Sequence, residues 1–212
     1  MNAYKAVLFD LDGTLINTMD MNLYPLIRII QEELGEIWTL QQVLPFFAQP
    51  GLKTMDDLGI RDKEATYARW VRYVNEYEPG AIPFDGIPQV LQTFQNSGIR
   101  MAAVTSKMHG QYQIDVVGNG LDRFLETAVL AEDTQLHKPH PEPIFLCLER
   151  MGLSPADALY VGDTLPDLQA ARNAGMDFGF AAWGAVSEVG MEDARYRFAE
   201  PEDLLSLLHD IS

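Results

Sequence analysis

Apolar and polar positions along this chain change rhythm twice. Near the start, Ala6-Val7-Leu8-Phe9 is a short unbroken apolar run, the pattern of a strand buried on both faces. From Met19 to about Glu78 the rhythm is helical, with no convincing strand. Met19, Leu23, Leu26, Ile27, Ile30 and Leu34 recur at helical spacing, and Gly35 marks a stop. Shorter apolar pieces follow over 40–47, ending near Pro50-Gly51, and over 55–58. A longer one, 63–77, carries Tyr67, Trp70, Val71, Val74 and Tyr77 before the breaker Pro79-Gly80. Aromatics at these spacings predict a small core belonging to the segment itself. From Ile82 onward helix and strand alternate. Helices are predicted over 87–96, from about 106 to 119, over 141–151, 165–173 and 201–208. Strands are predicted at 101–105, 128–130, 159–162 and 178–181, and the short piece 196–198 precedes the last helix.

Strands separated by helices imply a parallel sheet with right-handed crossovers, in which ligands bind beyond the carboxyl ends of the strands. The residues at those ends carry the candidate chemistry. Asp10 and Asp12 close the first strand, and a strand alternating its faces points both the same way. Two such carboxylates repel one another, and a bound cation or a shared proton relieves the conflict. Asp and Gly are also ordinary turn residues, so a solvated turn is the plainer alternative. The strand at 101–104 runs into Thr105-Ser106-Lys107, a hydroxyl and exposed N–H groups at a helix start, which suits an anion. Lys138 sits in a Lys-Pro-His-Pro-Glu-Pro run whose prolines restrict the loop. Asp163 ends the strand 159–162, with Asp167 one helical turn further on. Hard oxygen ligands of this kind suit Mg2+.

Composition narrows the partners. At 212 residues the chain is long enough for a substantial core, as one domain or a domain with an insertion. Its formal net charge of -16 disfavours nucleic acid and anionic membrane, both of which need a basic face. The single cysteine, Cys147, excludes an intramolecular disulfide and suits a reducing cytoplasm; its place on an apolar helix predicts a core residue. No apolar stretch approaches a membrane span, and Asp10 and Asp12 interrupt the only apolar run near the N-terminus, so a cytoplasmic location is expected.

The ordered set Asp10-Leu11-Asp12-Gly13-Thr14, Thr105, Lys138 and Gly162-Asp163-Thr164-Leu165-Pro166-Asp167 resembles the four motifs of the haloacid dehalogenase-like hydrolase superfamily. The run Pro139-His140-Pro141-Glu142-Pro143 and the tail Ala170-Ala171-Arg172-Asn173-Ala174-Gly175 are most similar to its phosphoglycolate phosphatase-type branch. The resemblance implies an α/β fold: a Rossmann-like parallel sheet core, 1–16 with 81–212, helices on both faces, and an all-α cap inserted at 17–80. It also implies a Mg2+-dependent phosphatase acting on a small phosphorylated metabolite. Asp10 would be the nucleophile and Asp12 the proton shuttle, with Lys138 neutralising charge on Asp10 and the phosphoryl group. Asp10, Asp163 and the backbone carbonyl of Asp12 would hold the Mg2+. Thr105 and the Ser106 N–H would hold phosphate oxygens, and Asp167 would orient Lys138 or a metal-bound water, or else be a simple helix N-terminal charge. An acid at position 12 fits an alcohol leaving group, which needs a proton, where a halide does not. The loop 49–54 resembles the cap loop of related phosphatases, which makes Lys53 a candidate contact for an anionic or polyhydroxylated leaving group; an ordinary surface lysine is its plainer reading. Two alternatives stay open: a phosphosugar mutase, and a catalytically silent binding protein on the same fold. Position 17–19 is Asn-Thr-Met and 17–80 has no histidine, which disfavours the mutase. The intact acids, threonine and lysine disfavour the silent protein.

Overall fold

The computed structural model describes residues 4–211 except 48, 50 and 79, so the breakers expected at Pro50 and Pro79 lie outside the described residues. Among the described residues eight strands form: β1 (Ala6–Phe9), β2 (Ile16–Asn17), β3 (Ile82–Pro83), β4 (Arg100–Val104), β5 (Thr127–Val129), β6 (Ala158–Gly162), β7 (Asp177–Ala181) and β8 (Tyr196–Phe198). Six of them make one parallel sheet in the order β5-β4-β1-β6-β7-β8. The apolar run at the start of the chain becomes its central strand, buried along its whole length. A strand covered on both faces has no polar face to alternate with, which is why its sequence is continuously apolar.

The register of this sheet sets the geometry of everything above it. Phe9 lies beside Ala103 of β4 on one side and Val161 of β6 on the other. The chain therefore leaves three neighbouring strands at nearly one level, and Asp10, Thr105 and Asp163 come out along the same edge.

Residues 18–82 form a separate compact unit. It contains α1 (Met19–Leu34), α2 (Leu40–Val43) with a 3-10 turn at Leu44–Phe46, α3 (Gly51–Asp57) and α4 (Lys63–Asn75). Its own core gathers Leu23, Leu26, Ile29, Ile30, Val43, Met55 and Trp70. The Trp70 indole donates to the Asn22 carbonyl at 3.1 Å, so the one polar atom of this large ring is satisfied. Val71, on the same apolar piece as Trp70, is exposed, and Tyr77 stacks on Tyr24 at the margin with ring centroids 6.0 Å apart. The chain leaves the sheet core through β2 and returns through β3, and these two strands pair. Strands of two residues are too short to show a period, so the sequence carries no sign of them.

Of the remaining helices, α5 (Ile87–Asn96), α7 (Glu142–Met151) and α8 (Leu165–Ala174) pack on the main sheet, while α6 (His109–Tyr112) runs into the turn that follows it. One core cluster includes Leu8, Val104, Ile144, Cys147, Tyr160, Leu168 and Phe180. Cys147 is fully buried there, and burial pushes its thiol up to about 12, as befits a core residue rather than a nucleophile. The helix expected to reach about 119 is α6 followed by a π-helical turn at Gln113–Val117, and the last helix, Pro201–Ile211, is 3-10 rather than α. The apolar positions of these segments mark a helix without saying which hydrogen-bond pattern it takes.

Candidate active site

Beyond β1 the chain makes a tight turn. Gly13 N–H donates to the Ile16 carbonyl, and the N–H groups of Thr14, Leu15 and Ile16 all donate to the Leu11 carbonyl. Gly13 takes φ +76°, a left-handed conformation that glycine adopts without penalty. A Cβ there would lie 2.2 Å from Asp163 Oδ2, so only glycine lets the two motifs approach this closely. From the other side the Trp183 indole donates to the Thr14 carbonyl at 3.0 Å, and Gly184 has no room for a Cβ against the Gly13 carbonyl.

This turn presents Asp10 and Asp12 to two different lysines. Lys138 Nζ lies 2.9 Å from Asp10 Oδ1 and 2.7 Å from Asp167 Oδ1, and donates to the Tyr160 hydroxyl at 3.2 Å. Lys107 Nζ lies 3.0 Å from Asp12 Oδ1 and 2.5 Å from Asp115 Oδ2. The conflict between neighbouring carboxylates is thus met first by local cations.

Lys138 reaches its place from a loop pinned on both sides. Asn173 donates to the Pro139 carbonyl at 3.0 Å, and Gln135 N–H and Leu136 N–H donate to the Glu142 carboxylate. Asp167 is completely buried at the start of α8. Its Oδ2 accepts from Thr164 N–H at 3.0 Å and from the Thr164 hydroxyl, closing the helix N-terminus, while its Oδ1 takes Lys138 and Tyr160. Asp163 is buried and its Oδ1 accepts from the Thr14 hydroxyl at 3.0 Å.

One oxygen each from Asp10, Asp163 and Asp167 lies within 4.8 Å of the others. Burial pushes the Asp10 carboxyl up to about 7; Lys138 opposes the rise, and Asp167 and Asp12 add to it. Burial, then Asp10 and Asp167, likewise raise Asp163 well above the usual range. Burial alone would lower Lys138, but Asp10 and Asp167 outweigh it and keep the ammonium charged. Three buried acids around one lysine leave negative charge unmatched, and an all-oxygen donor set of this kind fits a small divalent cation. Asp167 has both oxygens committed, so Asp10 and Asp163 are the carboxylates that could ligate it.

Thr105 is buried, with its Oγ accepting from Lys107 N–H at 3.1 Å, and Ser106 is exposed at the start of the following loop. α6 begins only at His109, so the N–H groups at 106 and 107 belong to a loop and not to a helix start. Lys53 is on α3, exposed, and paired with Asp57 one turn on at 2.5 Å. The sequence alone does not reveal Lys107 with Asp115, or Tyr160. Asp115 sits at helical spacing among apolar neighbours, which signals a buried acid in want of a cation. Tyr160 reads as apolar filler in a strand, but its hydroxyl lies between the Val104 carbonyl, Asp167 and Lys138.

Residues 7–181 match the haloacid dehalogenase-like hydrolase family. The chain belongs to that family. It is therefore an enzyme of the hydrolase and phosphatase kind, with a six-stranded parallel core and an inserted helical region. Among relatives of this hydrolase, the pyrophosphatase PpaX of Bacillus velezensis is 27% identical over 205 residues, covering 95% of each chain. A protein provisionally named as a PpaX pyrophosphatase in Caldanaerobacter subterraneus subsp. tengcongensis is 31% identical over 183 residues, 85% of this chain and 83% of the relative. Among solved structures, a Lactobacillus plantarum protein provisionally named a phosphoglycolate phosphatase is 26% identical. It superposes with a TM-score of 0.83 over 97% of this chain and 100% of its own.

Proposed function

We propose that this hydrolase is a Mg2+-dependent phosphatase that cleaves a small phosphorylated metabolite through an aspartyl-phosphate. The observation that carries the reading is the placing of Asp10: at the end of the central strand, 2.9 Å from Lys138, with Asp163 across the Gly13 turn. Asp10 attacks the phosphorus in line, forming an acyl phosphate as the bond to the leaving oxygen breaks. Asp12 delivers a proton to that oxygen and then takes one from the water that opens the acyl phosphate. The Thr105 hydroxyl and the Ser106 N–H hold non-bridging oxygens, and Lys138 offsets charge on both Asp10 and the phosphoryl group. Asp10, Asp163 and the Asp12 carbonyl would hold a Mg2+ ion, which would supply positive charge between the two anions. Asp167 fixes Lys138 in place.

The proposed division is a catalytic core, 1–16 with 81–212, and a helical cap, 17–80, in which Lys53 contacts an anionic or polyhydroxylated leaving group. Names of the relatives put pyrophosphate and phosphoglycolate first among substrates to try. The decisive assay is Mg2+-dependent release of phosphate from an aryl phosphate by wild type and Asp10→Asn. Loss of activity in the variant is expected, and full retention would sink the covalent mechanism. The same assay over pyrophosphate, phosphoglycolate, sugar phosphates and nucleotides ranks the substrates. Lys53→Ala alongside reads out whether that lysine affects KM or kcat for the best of them; no change in either would remove it from the site.

A further inference from the structure

We propose that Lys107, backed by Asp115, is a positioning residue that holds the Asp12 carboxyl in register for proton transfer to the leaving group. The proposal rests on the reading of Asp12 as the proton shuttle. Lysine side chains ordinarily keep their ammonium in water, yet this one is only 8% exposed. Both its ends are fixed. Lys107 N–H donates to Thr105 Oγ at 3.1 Å, and its carbonyl accepts from Ala131 N–H at 2.9 Å. At the tip, Nζ is shared between Asp12 Oδ1 at 3.0 Å and Asp115 Oδ2 at 2.5 Å.

The two acids differ in what they need from it. Asp115 is 1% exposed and already accepts hydrogen bonds from Gln111 Nε2 to both oxygens, each at 3.0 Å. It is an anchor, buried in the wall. Asp12 is 35% exposed and stands on the turn beside the nucleophile. A lysine serving only to neutralise a buried aspartate would have no reason to extend to it. The arrangement gives Asp12 a cation of its own, distinct from the Lys138 that serves Asp10, so the two carboxylates keep separate orientations. In the first half-reaction the bond from phosphorus to the leaving oxygen breaks, that oxygen takes the Asp12 proton, and the new bond from phosphorus to Asp10 forms. A swivelling Asp12 would miss an oxygen whose position is fixed by the in-line geometry.

Leaving groups separate this role from a merely structural one. A 4-nitrophenolate departs without a proton, whereas an alkoxide does not, and kcat/KM reports only steps up to the aspartyl-phosphate. Lys107→Met is expected to lower kcat/KM for glycerol phosphate by about 10- to 100-fold while that for 4-nitrophenyl phosphate stays within about threefold. Because both substrates are measured on one preparation, partial unfolding cancels in their ratio. Asp115→Asn, which retains an acceptor and a similar volume, moves the ratio the same way by less, and Lys107→Arg restores part of it. Asp12→Asn is the reference, with the largest alkyl-selective loss. Equal losses on both substrates in Lys107→Met, against a selective loss in Asp12→Asn, would overturn the proposal alone. Equal losses in Asp12→Asn would overturn the proton-shuttle reading and the proposal with it.

Discussion

Asp10 and Asp163 meet across a turn that only a residue without a Cβ can make, and the approach of their carboxylates depends on Gly13 more than on either acid. A left-handed alanine costs about 1–2 kcal/mol from backbone strain alone. At Gly13 the added methyl would also fall on the Asp163 carboxylate. Gly98 provides the comparison, since it has φ +78° and nothing within 4 Å of where its Cβ would stand. Gly98→Ala is expected to lower stability in urea titration by the strain alone, with Mg2+ affinity by calorimetry unchanged. Gly13→Ala is expected to lose more stability and to weaken Mg2+ binding as well. Equal Mg2+ affinity in the two variants would show that Asp163 does not need this close approach. At this scale much of the site is legible beforehand: Asp10, Thr105 and Asp163 stand at strand ends, which hydrophobic runs locate, and Lys138 stands out in a proline-rich loop. Lys107 with Asp115, eight residues apart, and Tyr160 with Asp167, seven apart, are not legible as pairs, because the chain turns between two elements within each and no apolar period says how it turns.

The elements divide into two sets with separate interiors. In the helical unit, Ile30 is completely buried among Leu26, Val43, Met55 and Trp70. Ile30→Ala removes buried methyl groups and leaves a cavity, a loss of about 2–5 kcal/mol. Because that core shares no residue with the sheet core, the expected loss of hydrogen-exchange protection falls on residues 18–82, with β1, β4 and β6 keeping theirs. Uniform loss over both sets would mean that the two unfold as one. The long apolar periods of α1 and α4 and the continuous runs of β1, β4 and β6 carry their own identity. The π-helical turn after α6 and the 3-10 helix at the end of the chain do not, since whether a helix locally widens or tightens is decided by tertiary contacts.

At the scale of the whole molecule, the acidity concentrated at the site makes stability depend on pH and metal together. Asp10 titrates at about 7 because burial disfavours its charge, Lys138 opposes this, and Asp167 and Asp12 reinforce it. From about pH 4 to about 7 the folded protein holds a proton that the unfolded chain has released, so stability falls as pH rises through that window. Asp163, raised by burial and by the same neighbours, acts in the same direction. The raised pKa of Lys138 matters only above the ordinary lysine range and does not oppose the trend here. A divalent cation binds the deprotonated carboxylates and offsets their repulsion. Adding Mg2+ is therefore expected to raise Tm more at about pH 8 than at about pH 5. A shift in Tm independent of pH would contradict this. No helix among the described residues is long and apolar enough to cross a membrane.

The pairing of β2 with β3 has a consequence for how such a chain can vary. With its exit and return clasped together, the stretch between them is a closed loop whose closure entropy grows only logarithmically, by about 0.6 kcal/mol for each doubling in length. Inserts of quite different size at that clasp leave the thermodynamic balance of the sheet nearly untouched. The sheet can therefore keep its chemistry while the inserted part diversifies.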